Sequence, residues 1–174
     1  INMNKKKTVS SAIDISRYII NKCHDLDISI SNLKLQKLLY FAQGFSLALL
    51  NKPLFEEDIE PWDFGPVVPE VYREYKMYGA NDIPRIKSYC DFDFDSDTFL
   101  CLVDFDEDIF SEDQKLVMDS VVKQFGKYSA NALVTITHEQ SPWINSYEKK
   151  KIIPKNVISD FFKRMIHDKG DCNK

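Results

Sequence analysis

Three histidines are the residues of this chain best suited to acid–base or metal chemistry. They are His24, His138 and His167, which lie far apart in the sequence. A zinc site needs three or four ligands, usually at short sequence spacings. Glu139 follows His138, but the second histidine of an H-E-x-x-H motif is absent. We therefore expect no metal site, and we expect His138 to hydrogen-bond to a turn at residues 142–143 rather than act in catalysis.

An aspartate-rich segment in the middle of the chain is a second candidate for metal binding. Asp93, Asp95 and Asp97 match the first, third and fifth ligands of an EF-hand loop, and Asp104 matches the twelfth. Thr98, however, stands where that loop needs glycine. Phenylalanines alternate with the aspartates, and a period of two is typical of a half-buried strand. The outward face of a strand is the preferred interpretation, with a calcium site as the alternative.

Motifs for nucleophilic or nucleotide chemistry are missing from the sequence. It contains no G-x-S-x-G, P-loop or G-x-G-x-x-G, and only five glycines. The four cysteines stand at positions 23, 90, 101 and 172 without a C-x-x-C pair. Cys23 and Cys101 are expected in the core of a protein from a reducing compartment. A Cys–His pair that meets only in space stays open, but we predict no enzyme and no cofactor.

The overall charge does not favour binding to a nucleic-acid backbone, since the net charge is −4 and the isoelectric point about 5.4. Charge is nevertheless uneven. Residues 91–113 contain ten Asp or Glu and no Lys or Arg, whereas residues 149–174 contain eight Lys or Arg and three Asp. Solvated surfaces are the simpler interpretation, and a steering surface for a basic partner is the alternative.

Residues 31–43 could imitate the recognition helix of a helix-turn-helix. Their apolar stripe, however, occupies the positions that such a helix needs for base contacts, and Lys34 and Lys37 are their only basic residues. Core packing is the preferred account of this segment. Direct binding to nucleic acid is therefore not expected.

The sequence shows no sign of a membrane protein. Lys5, Lys6 and Lys7 are not followed by the apolar core of a signal peptide. The longest apolar runs contain polar breaks and fall short of the ~18 residues that a membrane span needs. A cytoplasmic protein is expected, with a disordered basic leader at residues 1–9 and a disordered tail at residues 169–174.

Apolar spacing and capping signals predict about six helices. Ser11 with Asp14 and Ser111 with Gln114 match capping boxes, and Pro154 suits the first turn of a last helix. The residues expected on buried helix faces are Ala12, Ile15, Ile19, Cys23, Leu35, Leu38, Leu39, Ala42, Phe45, Leu49, Val68, Val71, Tyr72, Tyr75, Tyr78, Leu116, Val117, Val121, Phe125, Leu133, Ile136, Val157, Phe161 and Met165.

Two segments between the predicted helices have a different character. Residues 51–66 are rich in turn residues and leave room for one short strand. Residues 86–106 alternate apolar and polar side chains, which predicts a small antiparallel pair of strands. The expected fold class is mainly α: a compact single-domain helical bundle of about six helices with a small antiparallel β element. The domain is expected to span residues 10–168.

Several dense strings of residues are more specific than these general patterns. They are Leu33-Lys34-Leu35-Gln36-Lys37-Leu38-Leu39-Tyr40 with Gln43-Gly44, Lys52-Pro53-Leu54-Phe55, Trp62 with Phe64-Gly65-Pro66-Val67-Val68-Pro69-Glu70-Val71-Tyr72, Tyr78-Gly79, Gly126-Lys127-Tyr128-Ser129-Ala130, Thr137-His138-Glu139 and Ser141-Pro142-Trp143. In this order they resemble the Panacea domain, also described as the SocA-like antitoxin domain. The resemblance spans roughly residues 10–145.

What the resemblance implies is an antitoxin of a bacterial or phage toxin–antitoxin pair, with a mostly helical domain. Members of that family neutralise protein toxins by direct binding. An alternative role within the family is a proteolytic adaptor that delivers the toxin to an ATP-dependent protease. Neither role needs a cofactor or catalytic residues. We therefore predict a protein that binds a cognate toxin, with a homodimer left open and a metal-dependent enzyme or regulator as the least favoured hypothesis.

Eight residues within the matching strings are the predicted partner-binding residues. Aromatic side chains in desolvated pockets often dominate interface energy, and the polar ones follow one another along one side of the second helix. Internal packing is the alternative for each, and it is preferred for the aromatic rings of Tyr40 and Trp62. The eight are Lys37, Tyr40, Gln43, Trp62, Phe64, Tyr72, His138 and Trp143.

Overall fold

The computed structural model describes residues 9–92 and 100–171. Within them, seven α-helices and two antiparallel strand pairs confirm a mainly α fold with small β elements. The elements are α1 (Ala12–Asp25), α2 (Asn32–Leu50), β1 (Glu60–Trp62), β2 (Gly65–Val67), α3 (Pro69–Tyr75), β3 (Ser88–Phe92), β4 (Leu100–Asp104), α4 (Glu112–Phe125), α5 (Ala130–His138), α6 (Ser141–Lys149) and α7 (Lys155–Asp171), with single 3-10 turns at Lys76–Tyr78 and Glu107–Ile109.

Helix α2 lies at the centre of the molecule. It packs against α1, α3, α4, α5, α7 and β2. Between Asn32 and Leu47, every residue except Leu33 and Phe45 is buried. A helix that is buried on all sides is normally apolar all round, but α2 also buries several amide side chains and two lysines. These polar groups must find partners inside the protein, and the partners lie in the loops around α2.

Local capping signals correctly located three helix starts. The Ser11 hydroxyl accepts a hydrogen bond from the Asp14 amide, and Ser111 and Gln114 form a complete capping box at the start of α4. The Ser129 hydroxyl caps α5 in the same way. Each cap satisfies a backbone donor that the helix leaves unpaired at its first turn. Residues within three positions of each other determine these starts, so they were predictable from sequence.

Aromatic rings join α4 and α7 to the central helix. Phe41 stacks on Phe125 with ring centroids 4.2 Å apart, and Phe162 meets Tyr40 edge-on at 5.5 Å. The predicted stripe on α7 is shifted by one position. Phe162 and Ile158 form its fully buried centre, whereas the predicted Val157, Phe161 and Met165 are only partly buried. Spacing predicted the helix, but packing selected the neighbouring face.

Several residues predicted to be buried are not, among them Tyr72, which is 37% exposed. Leu49 is 57% exposed and Leu116 is 67% exposed, and Cys101 is only partly buried on β4. Cys23, by contrast, is completely buried. Leu49 lies near the end of α2, where the apolar periodicity continues beyond the part that other elements cover. Leu116 precedes the buried Val117 by one residue and points to the solvent side of α4.

The β structure is larger than predicted. Strands β3 and β4 pair antiparallel, as expected for residues 86–106. In addition, β1 and β2 form a short hairpin within a segment predicted to hold at most one strand. An additional helix, α6, begins at Ser141 where a turn was expected, because Pro142 is tolerated in the first turn of a helix.

The predicted leader and tail stay predictions. Residues 1–8 and 172–174 lie outside the described residues, and α7 is described through Asp171. No helix in the described ranges is long and apolar enough to cross a membrane.

Candidate functional site

The β1–β2 hairpin presents aromatic side chains at the surface of the molecule. Its register pairs Trp62 with Gly65, so Asp63 and Phe64 form the tip. Gly65 has a φ of +98°, which favours glycine. A Cβ at this position would also lie 2.7 Å from the Cε of Lys37 and 2.8 Å from the hydroxyl of a buried threonine on α5. The backbone of the hairpin therefore lies directly against α2 and α5.

Lys37 of α2 lies between the hairpin and the core and hydrogen-bonds to the hairpin backbone. Its side chain is completely buried, and its Nζ donates a hydrogen bond of 3.0 Å to the Pro66 carbonyl. Burial lowers the pKa of Lys37 to about 7, because desolvation penalises the charged ammonium. Within the described residues Lys37 makes no ion pair. A predicted partner-binding residue is thus placed beneath the surface, where it positions β2.

Two further amide side chains of α2, which were not among the predicted residues, hold the segment after the hairpin. Gln36 accepts a hydrogen bond from the Val68 amide at 2.9 Å and donates one to the Asn32 side chain at 2.9 Å. Asn32 in turn donates to the Tyr72 carbonyl at 3.0 Å. A signal for them exists in the sequence, because two amides four residues apart share one face of a helix that is otherwise rich in leucine.

Gln43 performs the same task for the loop before the hairpin. Its Oε1 accepts from the Leu54 amide at 2.7 Å and the Phe55 amide at 3.3 Å, and its Nε2 donates to the Phe55 carbonyl at 2.7 Å. The Tyr40 hydroxyl donates a hydrogen bond of 2.8 Å to the Gln140 side chain. Burial raises the pKa of the Tyr40 phenol. Both side chains are completely buried. Any influence of Tyr40 and Gln43 on a partner would therefore be indirect.

A stack of three rings supports the other side of the hairpin. His138 and Trp143 stack at 4.0 Å, and Trp143 and Tyr147 stack at 4.5 Å. The Trp143 indole donates to the Trp62 carbonyl at 3.0 Å, and the Tyr147 hydroxyl donates to Asp63 at 3.0 Å. Helices α5 and α6 thus fix the position of β1.

The predicted hydrogen bond from His138 to a turn is wrong. Residues 142–143 lie in the first turn of α6, and the imidazole contacts Trp143 through its face. Its Nε2 atom is buried and has no hydrogen-bond partner in the described part of the chain.

Three of the eight predicted residues reach the surface together. Phe64 is 67% exposed, Tyr72 is 37% exposed and Trp62 is partly buried. The rings of Trp62 and Tyr72 meet edge-on at 5.0 Å, and all three residues line a cleft of about 420 Å³. We call Trp62, Phe64 and Tyr72 the hairpin aromatic surface.

A second cleft, of about 510 Å³, lies on the other side of the hairpin. Trp62 and Asp63 form one wall, and Tyr147, Lys150 and Lys151 form the opposite one. The hairpin is therefore a ridge between two clefts, with rigid packing below and an exposed aromatic tip. Such a shape is suited to contacts with another macromolecule, because rigid aromatic anchors lose little conformational entropy on binding.

No group of three or more His, Cys, Asp or Glu residues is placed to hold a metal ion within residues 9–92 and 100–171. Asp93, Asp95 and Asp97, the residues of the alternative calcium site, lie outside the described residues.

Comparisons with known proteins agree with the motifs in the sequence. The family model described as "Antitoxin SocA-like, Panacea domain" matches residues 35–144. The chain is also similar to "Antitoxin SocA" of Caulobacter vibrioides (strain NA1000 / CB15N), with 36% identity over 131 residues. That match covers 74% of this chain and 66% of the relative, so the chain spans slightly less than two thirds of the relative's length. No solved structure matches the chain. Because the family model covers more than half of it, this chain belongs to the SocA-like antitoxin family that is defined by the Panacea domain.

Proposed function

We propose that this chain neutralises a cognate protein toxin by direct binding, and that the hairpin aromatic surface contacts the toxin. Membership of the antitoxin family supports a toxin partner. We choose this surface because Phe64, a large aromatic side chain at the tip of the hairpin, is exposed. Phenyl rings are rarely left in water without a reason when they cluster with other aromatic residues.

The buried polar residues support the same proposal indirectly. Lys37, Gln36 and Gln43 hold the backbone on both sides of the hairpin through α2. A preformed surface loses less entropy on association than a mobile loop would. In this proposal Lys37, Tyr40, Gln43, His138 and Trp143 act as positioning residues, and only the hairpin aromatic surface makes direct contact.

The proposal makes no use of catalysis, of a cofactor or of direct contact with nucleic acid. It places neutralisation in the cytoplasm, and a homodimer is compatible with it. The proteolytic adaptor stays an alternative prediction. The two roles differ in the fate of the toxin: sequestration leaves its half-life in cells unchanged, whereas delivery to an ATP-dependent protease shortens it in an antitoxin-dependent manner.

The test is to measure binding of the toxin encoded beside this gene to purified variants by calorimetry. Phe64→Ala and Tyr72→Ala should each weaken binding about tenfold or more, the loss expected for an interface hot spot. The matched control is Leu102→Ala, which shortens a 72% exposed side chain on β4. Thermal unfolding of Phe64→Ala and Leu102→Ala should match the parent chain, since these side chains are 67% and 72% exposed. Tyr72→Ala also removes a ring that packs against Trp62, so its loss of binding counts only if its unfolding midpoint stays well above the assay temperature.

Growth assays provide a second readout of the same variants. Cells that express the toxin should be rescued by the parent chain and by Leu102→Ala, and less well by Phe64→Ala. The choice of surface is wrong if Phe64→Ala and Tyr72→Ala bind and rescue like the control. Direct neutralisation is wrong if the purified parent chain does not bind the toxin.

A further inference from the structure

An apolar groove lies between α2 and α4, on elements that do not contribute to the hairpin aromatic surface. Its volume is about 350 Å³. Phe45 of α2 and Val117 and Val121 of α4 line it, with the two valines buried. Leu49 and Leu116, which are 57% and 67% exposed, line the same groove. The groove thus combines buried apolar residues with two leucines that the described residues leave uncovered.

The spacing of these side chains explains what the groove can accept. Phe45 and Leu49 are four residues apart on α2, and so are Val117 and Val121 on α4. Residues four apart form ridges along a helix, and ridges of one helix pack into the grooves of another. Helix α7 already covers Phe45, since the Phe162 ring lies 5.1 Å from it, and the two valines are buried. Leu49 and Leu116, however, are 57% and 67% exposed, so the described elements leave the mouth of the groove uncovered. The missing packing element is therefore best matched by a helix with an apolar stripe.

Charge at the end of the groove specifies one further property of the occupant. Asp113 lines the groove, is exposed and makes no ion pair with any described residue. The nearby Lys115 is already engaged with Asp108 and Glu112. The groove contains no Lys or Arg among its lining residues. A basic side chain of an occupant would therefore face the unpaired carboxylate of Asp113, in the first turn of α4 at one end of the groove.

We propose that this groove docks an amphipathic helix of a protein partner, with apolar side chains over Leu49 and Leu116 and a Lys or Arg facing Asp113. This helix-in-groove mode uses apolar anchors at three- and four-residue spacings. The groove is distinct from the hairpin aromatic surface, so the proposal does not depend on toxin binding at the hairpin. It gives the chain a second docking site, through which one molecule can hold two partners or two parts of one partner.

The direct test uses a synthetic helix as the probe. The peptide is a side-chain-stapled helix of about four turns with leucines at three- and four-residue spacings and lysines at one end. Its binding to the full chain is followed by fluorescence anisotropy. Leu116→Ser and Leu49→Ser should each weaken binding about tenfold, which corresponds to about 1.4 kcal/mol. Leu102→Ser is the matched control, because this exposed leucine lies on β4, outside the groove, and it should bind like the parent chain.

A charge swap tests the orientation of the helix. Asp113→Lys should weaken binding of the lysine-ended peptide and strengthen binding of the same peptide with glutamates in place of the lysines. Phe64→Ala should change neither affinity, which separates this site from the hairpin. The proposal is overturned if the parent chain does not bind the peptide, or if the groove variants bind it like the control.

The oligomeric state distinguishes a partner helix from a second copy of this chain. Analytical ultracentrifugation should show the same mass for the parent chain and for Leu116→Ser. If the parent chain dimerises and Leu116→Ser does not, the occupant is a second copy, and docking of a partner helix is overturned.

Discussion

Lys37 is the residue whose environment departs most from what its type suggests. It is completely buried, its ammonium faces one backbone carbonyl, and burial lowers its pKa to about 7. A lysine on a predicted helix normally lies with its charge in water. Here the long side chain reaches from α2 to β2, packs against Gly65 and donates a hydrogen bond to the Pro66 carbonyl. Sequence spacing placed Lys37 beside the leucine stripe, but it could not reveal that β2 covers it.

The buried lysine predicts how stability depends on pH. In the unfolded chain Lys37 has an ordinary pKa of about 10.4, so between pH 7 and 9 the unfolded state binds more protons than the folded one. The free energy of unfolding contributed by this residue therefore rises with pH, by up to about 1.4 kcal/mol per pH unit. Lys37→Met should lose this rise, which urea denaturation at several pH values measures.

The effect of Lys37 can be separated from the effects of other ionisable groups in two ways. Cys23 works in the opposite direction at higher pH, because burial raises its pKa to about 12, but it is present in the parent chain and in Lys37→Met alike. Lys149→Met is the control, since Lys149 is exposed on α6, and it should retain the parent slope. Equal slopes for Lys37→Met and the parent chain would contradict the burial of a neutral lysine.

Among the elements, the contact between α2 and α7 depends on the absence of a side chain. Gly44 lies in the middle of α2, where alanine would normally improve helix stability. A Cβ at this position, however, would lie 2.4 Å from the ring of Phe162, which is completely buried. The close approach of the two helices therefore requires glycine at this position.

Gly44→Ala should accordingly destabilise the protein by about 1–3 kcal/mol, the usual cost of overpacking a core. Chemical denaturation measures this change. In a Gly44→Ala background, Phe162→Leu should cost less than it does in the parent chain, because the smaller side chain relieves the clash. If Gly44→Ala is more stable than the parent, helix propensity outweighs packing and the close contact is wrong.

At the scale of the whole molecule, α2 joins the structure into one unit. It contacts five of the other six described helices and β2, and its buried amides hold the loops on both sides of the hairpin. Removing one element would expose buried polar groups as well as apolar area, and both are costly. The hairpin is therefore expected to unfold together with the helices rather than before them.

This cooperativity can be measured with two probes. The chain contains two tryptophans, Trp62 and Trp143, and both lie at the hairpin. Urea transitions followed by tryptophan fluorescence and by far-UV circular dichroism should therefore have the same midpoint and slope. A fluorescence transition at lower urea than the loss of helix would show that the hairpin unfolds separately. Phe64→Ala, which shortens an exposed tip residue, should leave both transitions in place.

The sequence by itself determined the features that depend on near neighbours. Ser11, Ser111 and Ser129 begin helices because a cap involves residues only three positions away. The alternation in residues 86–106 correctly predicted the β3–β4 pair, and the dense motif strings correctly indicated the family. Trp62, Phe64 and Tyr72 lie together at one surface, and their role in binding a partner stays a prediction.

Only the tertiary structure decided which residues of each helix are covered by other elements. The same helical spacing that predicts Leu38 in the core also predicts Leu49, yet Leu49 lies where no other element reaches α2. Lys37, Tyr40 and Gln43 were predicted to contact a partner, but strands and loops far away in the sequence bury them. Periodicity describes one element at a time, whereas burial depends on what packs against it.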